Sequence, residues 1–193
     1  MYTTPPTDED GADRFIESIV KGNQAWMASY GGRPAVNGSA KAVVLTCMDS
    51  RIPPLEMLGL APGEVFIIRN AGNSITEDAL RSLLICLTAM ECRNVLVVGH
   101  SSCGMRSSGD LDQRVAAALD LKALSEALGE EVVDARSWLN FYEGPETEWA
   151  EEQAAVLRSV LKKVMPGVPV KVRSALYHLD DGRLEMLGQP SQK

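Results

Sequence analysis

Ala42-Val-Val-Leu-Thr-Cys47-Met-Asp49-Ser-Arg51 sets the reading of the whole chain. A short apolar run of this kind makes a parallel strand buried on both faces. It breaks at its C-terminal end into a thiol, a carboxylate and a guanidinium. Val95-Leu-Val-Val-Gly-His100-Ser-Ser-Cys103 repeats the pattern, an apolar run ending in an imidazole and a thiol. In an open parallel sheet, ligands sit in the crevice beyond the carboxyl ends of the strands. Two neighbouring strands ending this way would bring Cys47, His100 and Cys103 together. Two thiolates and one imidazole suit zinc and leave its fourth tetrahedral position open.

The 193 residues, 45% of them hydrophobic, fit one domain with a sizeable core. A net charge of −7 speaks against nucleic acid or an anionic membrane as partner. No apolar run reaches the roughly 20 residues of a membrane span. The opening Met1-Tyr-Thr-Thr-Pro-Pro-Thr-Asp-Glu-Asp has neither the basic start nor the apolar segment of a secretory signal. The expectation is a cytoplasmic protein with four reduced cysteines, in which thiolate ligation is favoured over a disulfide.

Residues 1–9 offer little to bury and are expected to be loose. A helix is expected over residues 10–30, with Phe15, Ile16, Ile19, Val20, Trp26, Met27 and Tyr30 in one apolar stripe. The stripe lies outside the alternating strand–helix units; it could pack on the chain's own sheet or on a second subunit, and the second is favoured. A turn-rich connector, Gly31–Ser39, follows. The core then runs from a strand at 42–47 to a short helix opened by Pro53-Pro54 and closed by Gly59. A strand at 64–69 leads to a helix from the Ser74-Ile-Thr-Glu77 capping box to about Glu91, and a third strand covers 94–99. That helix is apolar nearly all round, so both its sides are expected to be covered. Residues 112–128 and 149–164 read as further helices, the second halted by Pro166-Gly167. Val168–His178 and Arg183–Leu187 flank Asp181-Gly182, a hairpin signal that puts an antiparallel strand at the sheet edge. The fold class is α/β, a mostly parallel central sheet of four strands with an antiparallel C-terminal edge strand, flanked by helices. Residues 1–193 read as a single zinc-binding domain.

Taken singly, the chemical residues say little. A lone strand-end cysteine is usually a small buried hydrophobe, and a lone core histidine usually just hydrogen-bonded. Their combination carries more. His100-x-x-Cys103 can wrap one ion from a strand end and the next turn, and Cys47 holds the matching place on the matching strand. A structural zinc would call for a fourth Cys or His at short spacing. Cys86 and Cys92 lie within or at the end of an apolar helix and read as packing residues. Asp49 and Arg51 can form a bidentate pair in which the cation keeps the carboxyl ionised. Alone, that is an ordinary salt bridge capping a turn. Beside an open zinc, the carboxylate can accept a hydrogen bond from a metal-bound hydroxide and orient it. Released by Arg51, it could instead swing onto the metal and close the site; the sequence leaves these states open. Two thiolates neutralise the dication, so its water should be less acidic than the ~7 of an all-histidine site. Activity should then climb toward alkaline pH, and a flat rate–pH profile would count against a thiolate-ligated zinc.

Cys47-x-Asp49-x-Arg51 with His100-x-x-Cys103 resembles the signature of the β-class carbonic anhydrases. Ile67-Ile-Arg69-Asn70-Ala-Gly72-Asn is similar to that family's second-strand ending. The resemblance runs through Trp138-Leu-Asn-Phe to the closing hairpin, over roughly residues 10–188, and points most to the small archaeal and bacterial members. It implies the family's three-layer fold, zinc held by Cys47, His100 and Cys103, and a catalytic dyad of Asp49 and Arg51. The implied reaction is reversible hydration of carbon dioxide to bicarbonate. A homodimer or multiple of dimers is implied too, with active sites at the interface and the N-terminal helix laid across the partner. Three departures stand out. Residues 33–41 contain no Gln to match the substrate-binding donor of plant-like members. Val44 occupies the place of a Trp carried by bicarbonate-inhibited members. His178, the one histidine besides His100, falls on the edge-side strands, so protons would leave through Asp49, water or buffer.

Other readings remain. Enzymes that hydrolyse carbonyl sulfide or carbon disulfide resemble the same subfamily, and their substrates are also linear, apolar and electrophilic at carbon. A protein with Asp49 as permanent fourth zinc ligand would be non-catalytic. A nucleotide-binding or Cys-nucleophile protein built on Gly99-His-Ser-Ser-Cys-Gly104 is disfavoured. The chain has no Gly-x-Gly-x-x-Gly or Walker pattern, and that loop has no Arg to hold phosphate.

Overall fold

Runs of aliphatic and β-branched residues supply the strands, each just long enough to cross the core once. A computed structural model describes residues 9–32, 40, 42–107 and 110–188. Of residues 1–9, expected to be loose, the first eight lie outside the described residues, as does most of the connector, 33–39, while Glu9 already belongs to the first helix. The chain divides into two compact units, residues 1–35 and 36–193. In the first, α1 (Glu9–Met27) carries the expected stripe. Phe15, Ile16, Ile19, Val20, Trp26, Met27 and Tyr30 are all exposed, with the Trp26 and Tyr30 rings 4.5 Å apart.

The second unit is built on one sheet of β1 (Ala42–Cys47), β2 (Phe66–Asn70), β3 (Asn94–His100), β4 (Lys171–Tyr177) and β5 (Leu184–Met186), in the order β2-β1-β3-β4-β5. The first four are parallel and β5 runs antiparallel to β4, as the hairpin signal requires. The chain passes from β1 to one side for β2 and returns to the other for β3. The carboxyl ends of β1 and β3 therefore flank a topological switch point, where a crevice opens.

Alternate residues of each strand feed two apolar clusters. Val43, Val95, Val97 and Val172 pack with Leu83 and Leu87 of α2 (Glu77–Thr88) and with Ala154 and Leu157 of α6 (Glu146–Val164). Val44, Val98, Ala175 and Tyr177 pack with Ile52, Cys103 and Tyr142. Burial on both faces explains why β1 and β3 lack polar alternation. Each fully buried leucine contributes roughly 1.5–3 kcal/mol. Among the described residues, no helix is long and apolar enough to cross a membrane.

Several expectations are corrected. α2 is capped by Thr76, whose hydroxyl accepts from Ala79 N, and not by Ser74. Ser74 is instead bonded through its backbone to the Asn70 side chain. Among the described residues, the outer face of the α2 segment is exposed: Ile85 is 58% exposed, and Met90 beyond its end is exposed as well. Residues 112–128 are two helices, α3 (Leu111–Ala118) and α4 (Leu121–Leu128). Asp120 ends the first by capping the second, accepting from the N–H groups of Lys122 and Ala123. The expected short helix after Pro53-Pro54 is one 3₁₀ turn, Glu56–Leu58, closed by Gly59 at φ 64°. A one-turn helix, α5 (Ala135–Trp138), is capped by Asp134 and was not anticipated. α6 starts at Glu146, so Trp149 sits inside its first turn.

Candidate metal centre

β1 ends in Cys47 and β3 in His100, and the turn after β3 returns Cys103 to the same place. The three ligand atoms lie within 4.8 Å of one another. Among the described residues, this is the one group of three His, Cys, Asp or Glu side chains that could share an ion. All three are buried, His100 completely. Thr46 Oγ1 donates to the Val98 carbonyl at 3.1 Å and ties the two strands just before they deliver these groups.

The histidine is oriented for ligation. His100 Nδ1 lies 3.0 Å from the Ser101 carbonyl, which can only accept, so Nδ1 carries the hydrogen. Nε2 then presents a lone pair, and it is buried with no hydrogen-bonding partner. A buried polar atom left so is costly unless something satisfies it, and a cation would. The two sulfurs are coupled. Hydrogen bonding from Cys103 holds the Cys47 thiol well below the ordinary thiol range. The same bond, followed by burial, pushes Cys103 up. Such a pair shares one proton and releases it when a cation binds. Two sulfurs and one imidazole nitrogen at this spacing match the donor set of zinc.

Beside them, Arg51 grips Asp49. Its Nε donates to Oδ1 at 2.9 Å, its Nη2 to Oδ2 at 2.6 Å, and its backbone N–H to Oδ1 at 2.9 Å. The guanidinium hydrogen bond is the main reason the carboxyl is held down to about 2. Arg51 Nη2 also donates to the Ser102 carbonyl at 3.1 Å, joining the turn after β1 to the turn after β3.

Some functional neighbours were not legible in the sequence. Arg69, quoted above only within a motif, donates from Nε to the Cys47 carbonyl at 3.0 Å and from Nη2 to the Asp49 carbonyl at 2.6 Å. The Cys103 turn is braced from behind: Tyr142 N donates to the Met105 carbonyl and Ser107 N to the Tyr142 carbonyl. Asp112, also buried, accepts from Ser107 at 2.6 Å and pairs with Arg136 at 3.0 Å. No spacing rule announces these contacts, which cross from one element to another. The remaining candidates sit as expected. Cys86 and Cys92 belong to the apolar core, and His178 is engaged with Glu185 at 2.8 Å on the hairpin.

The family model for carbonic anhydrase matches residues 42–184. The chain belongs to the β-carbonic anhydrase family. Among its relatives, β-carbonic anhydrase 1 of Mycobacterium tuberculosis is 31% identical over 96 residues, which cover 50% of this chain and 59% of that one. A carbon disulfide hydrolase of Acidianus sp. is 30% identical over 194 residues, covering 94% of this chain and 85% of its own. The solved carbonic anhydrase of Streptococcus mutans superposes with a TM-score of 0.69 at 26% identity, covering 97% of this chain and all of that one. The likeness to that solved structure extends over the fold as a whole.

Proposed function

We propose that this β-carbonic anhydrase family member is a zinc enzyme that reversibly hydrates carbon dioxide to bicarbonate. The observation that carries the reading is the convergence of Cys47 Sγ, His100 Nε2 and Cys103 Sγ beside a carboxylate held ionised by Arg51. Cys47, His100 and Cys103 would hold the metal and leave one position free. When bound, zinc would supply Lewis acidity that lowers the pKa of water, less far with two thiolate ligands than with three imidazoles, so that the nucleophile forms toward alkaline pH. The Asp49 carboxylate can only accept hydrogen bonds, so it fixes the hydrogen of the attacking nucleophile and leaves a lone pair for the substrate carbon. Both Asp49 oxygens are already bonded to Arg51, which supports an orienting role over that of a fourth ligand. Arg51 holds the carboxylate, and Arg69 holds the peptide that carries it. Protons leave through Asp49, water or buffer, because His178 is committed to Glu185.

The protein acts as a homodimer or multiple of dimers, with the apolar stripe of α1 laid on the partner. Its six exposed large side chains, with Tyr30 just beyond the helix, support that reading. A second reading has a specific observation behind it: the Acidianus carbon disulfide hydrolase aligns over nearly the whole chain. Turnover separates the two. The purified zinc protein is assayed by stopped flow for carbon dioxide hydration and, in parallel, for hydrogen sulfide release from carbonyl sulfide and carbon disulfide. Rapid hydration supports the proposal. Hydrogen sulfide release without hydration would replace it with the second reading.

A further inference from the structure

We propose that Trp149 and Gln153, one helical turn apart on α6, are positioning residues for the metal site. By gripping the turn around Gly72 they aim its N–H at the Cys47 sulfur, and so set how strongly that thiolate donates to a cation. This rests on Cys47 being a metal ligand.

Gly72 N donates to Cys47 Sγ at 3.4 Å. Local sterics do not fix that direction. Gly72 sits at φ 70°, ψ 22°, a left-handed conformation that glycine enters and leaves easily. A larger residue would be strained at that φ and would crowd Met105, its Cβ lying 3.1 Å from Met105 Cβ. What fixes the turn comes from outside it. Trp149 Nε1 donates to the Gly72 carbonyl at 2.7 Å. Gln153 Oε1 accepts from Ile75 N at 2.7 Å. Asn70 closes the loop from below, donating to the Ser74 carbonyl and accepting from Ser74 N. The indole is itself held: Tyr142 stacks on it with ring centroids 4.5 Å apart and planes 4° from parallel. Tyr142 and Trp149 pack in the same apolar cluster as Cys47 and Cys103.

Gln153 is a buried amide on a helix face otherwise lined by Ala150, Ala154 and Leu157. Placing a polar group there is costly unless it is bonded, and its bond goes to this turn. An N–H···S bond draws charge from a thiolate. Without it the sulfur is a less well solvated anion, easier to oxidise and less firmly oriented toward a cation. Groups that orient metal ligands in this way typically change metal affinity by about 10–100-fold. An indirect brace belongs at about tenfold, the lower end.

Trp149→Phe keeps an aromatic ring against Tyr142 and removes the donor; Gln153→Leu removes the acceptor at the other end of the turn. Each is loaded with zinc for a chelator competition and with cobalt for absorption spectroscopy, alongside a thermal melt. Zinc binding should weaken by about tenfold in each, and the sulfur-to-cobalt charge-transfer band should move to longer wavelength. A purely structural role would lower the melting midpoint and leave the band in place. Folded variants with wild-type affinity and an unmoved band overturn the proposal. If neither variant folds, wild-type protein loaded with cadmium-113 decides: scalar coupling from the Gly72 amide proton to the metal supports it, and its absence overturns it. Should wild-type protein bind no zinc, or Cys47→Ser keep it, the ligand assignment fails instead.

Discussion

Replacing Arg51 with lysine would keep a positive charge beside Asp49 and remove the fork that aims it. In the structure, the guanidinium makes two bonds to the carboxylate, at 2.9 and 2.6 Å, and one to the Ser102 carbonyl at 3.1 Å. An ammonium on a flexible stem can satisfy one of these well, but not the planar pair. The fall of the carboxyl from 3.8 to about 2 corresponds, at 1.36 kcal/mol per pH unit, to about 2–3 kcal/mol before screening. Arg51 is 52% exposed and Asp49 16%, so solvent leaves about 1 kcal/mol of this in folding stability. In a chain of this size that lowers the melting midpoint by about 2–4 °C. Catalysis should suffer more. Asp49 would remain ionised at neutral pH, since an ordinary carboxyl titrates near 4, but it would be mis-aimed. A misplacement of about 1 Å at a reacting group costs on the order of 10²-fold. The variant should therefore keep its zinc and lose about two orders of magnitude in kcat/KM. Stopped-flow hydration with zinc analysis of the same sample checks both halves. An Arg51→Lys protein with full zinc and wild-type kcat/KM would refute an orienting role for the fork.

Arg69→Ala removes both bonds to the peptide bearing Cys47 and Asp49. It should weaken zinc binding by about tenfold in chelator competition, and wild-type affinity would speak against the clamp. Stripping zinc with a chelator should abolish hydration and lower the melting midpoint, and both should return when zinc is added back. Excess zinc at 100 times Kd is worth about 2.7 kcal/mol, so a midpoint indifferent to zinc would count against a folded-state site. Asp112 is held below the ordinary carboxyl range, first by the Ser107 hydroxyl and with help from Arg136. A depressed folded value stabilises above the unfolded carboxyl's range near 4 and is lost as pH falls through the folded value. Asp112→Asn should thus have a lower urea midpoint than wild type at pH 7, with the gap closing in acid; a gap constant with pH would contradict this.

The sheet was legible because β1 and β3 are buried on both faces and the strands end in punctuation, the Asp181-Gly182 turn at the edge and Cys47 and His100 at the crevice. The convergence of Cys47, His100 and Cys103 was legible for the same reason, since parallel neighbours carry their final residues to one edge. Short-range chemistry misled where two residues competed for one task. Ser74 and Thr76 both fit a cap, and Asn70, four residues back, settled the matter by engaging Ser74. Asp120 interrupted what periodicity read as a single helix. The supports of the site stayed hidden because they bridge long stretches of chain. Arg69 reaches back to Cys47 and Asp49, and Trp149 and Gln153 reach across from α6 to the Gly72 turn. Such contacts depend on how a helix docks, which no local pattern encodes.

The most direct measurement pairs metal analysis with stopped-flow carbon dioxide hydration on freshly purified wild-type protein and on Cys47→Ser. The account predicts stoichiometric zinc and rapid hydration in the first, and loss of both in the second. Full zinc and full turnover after the sulfur at position 47 is gone would contradict it.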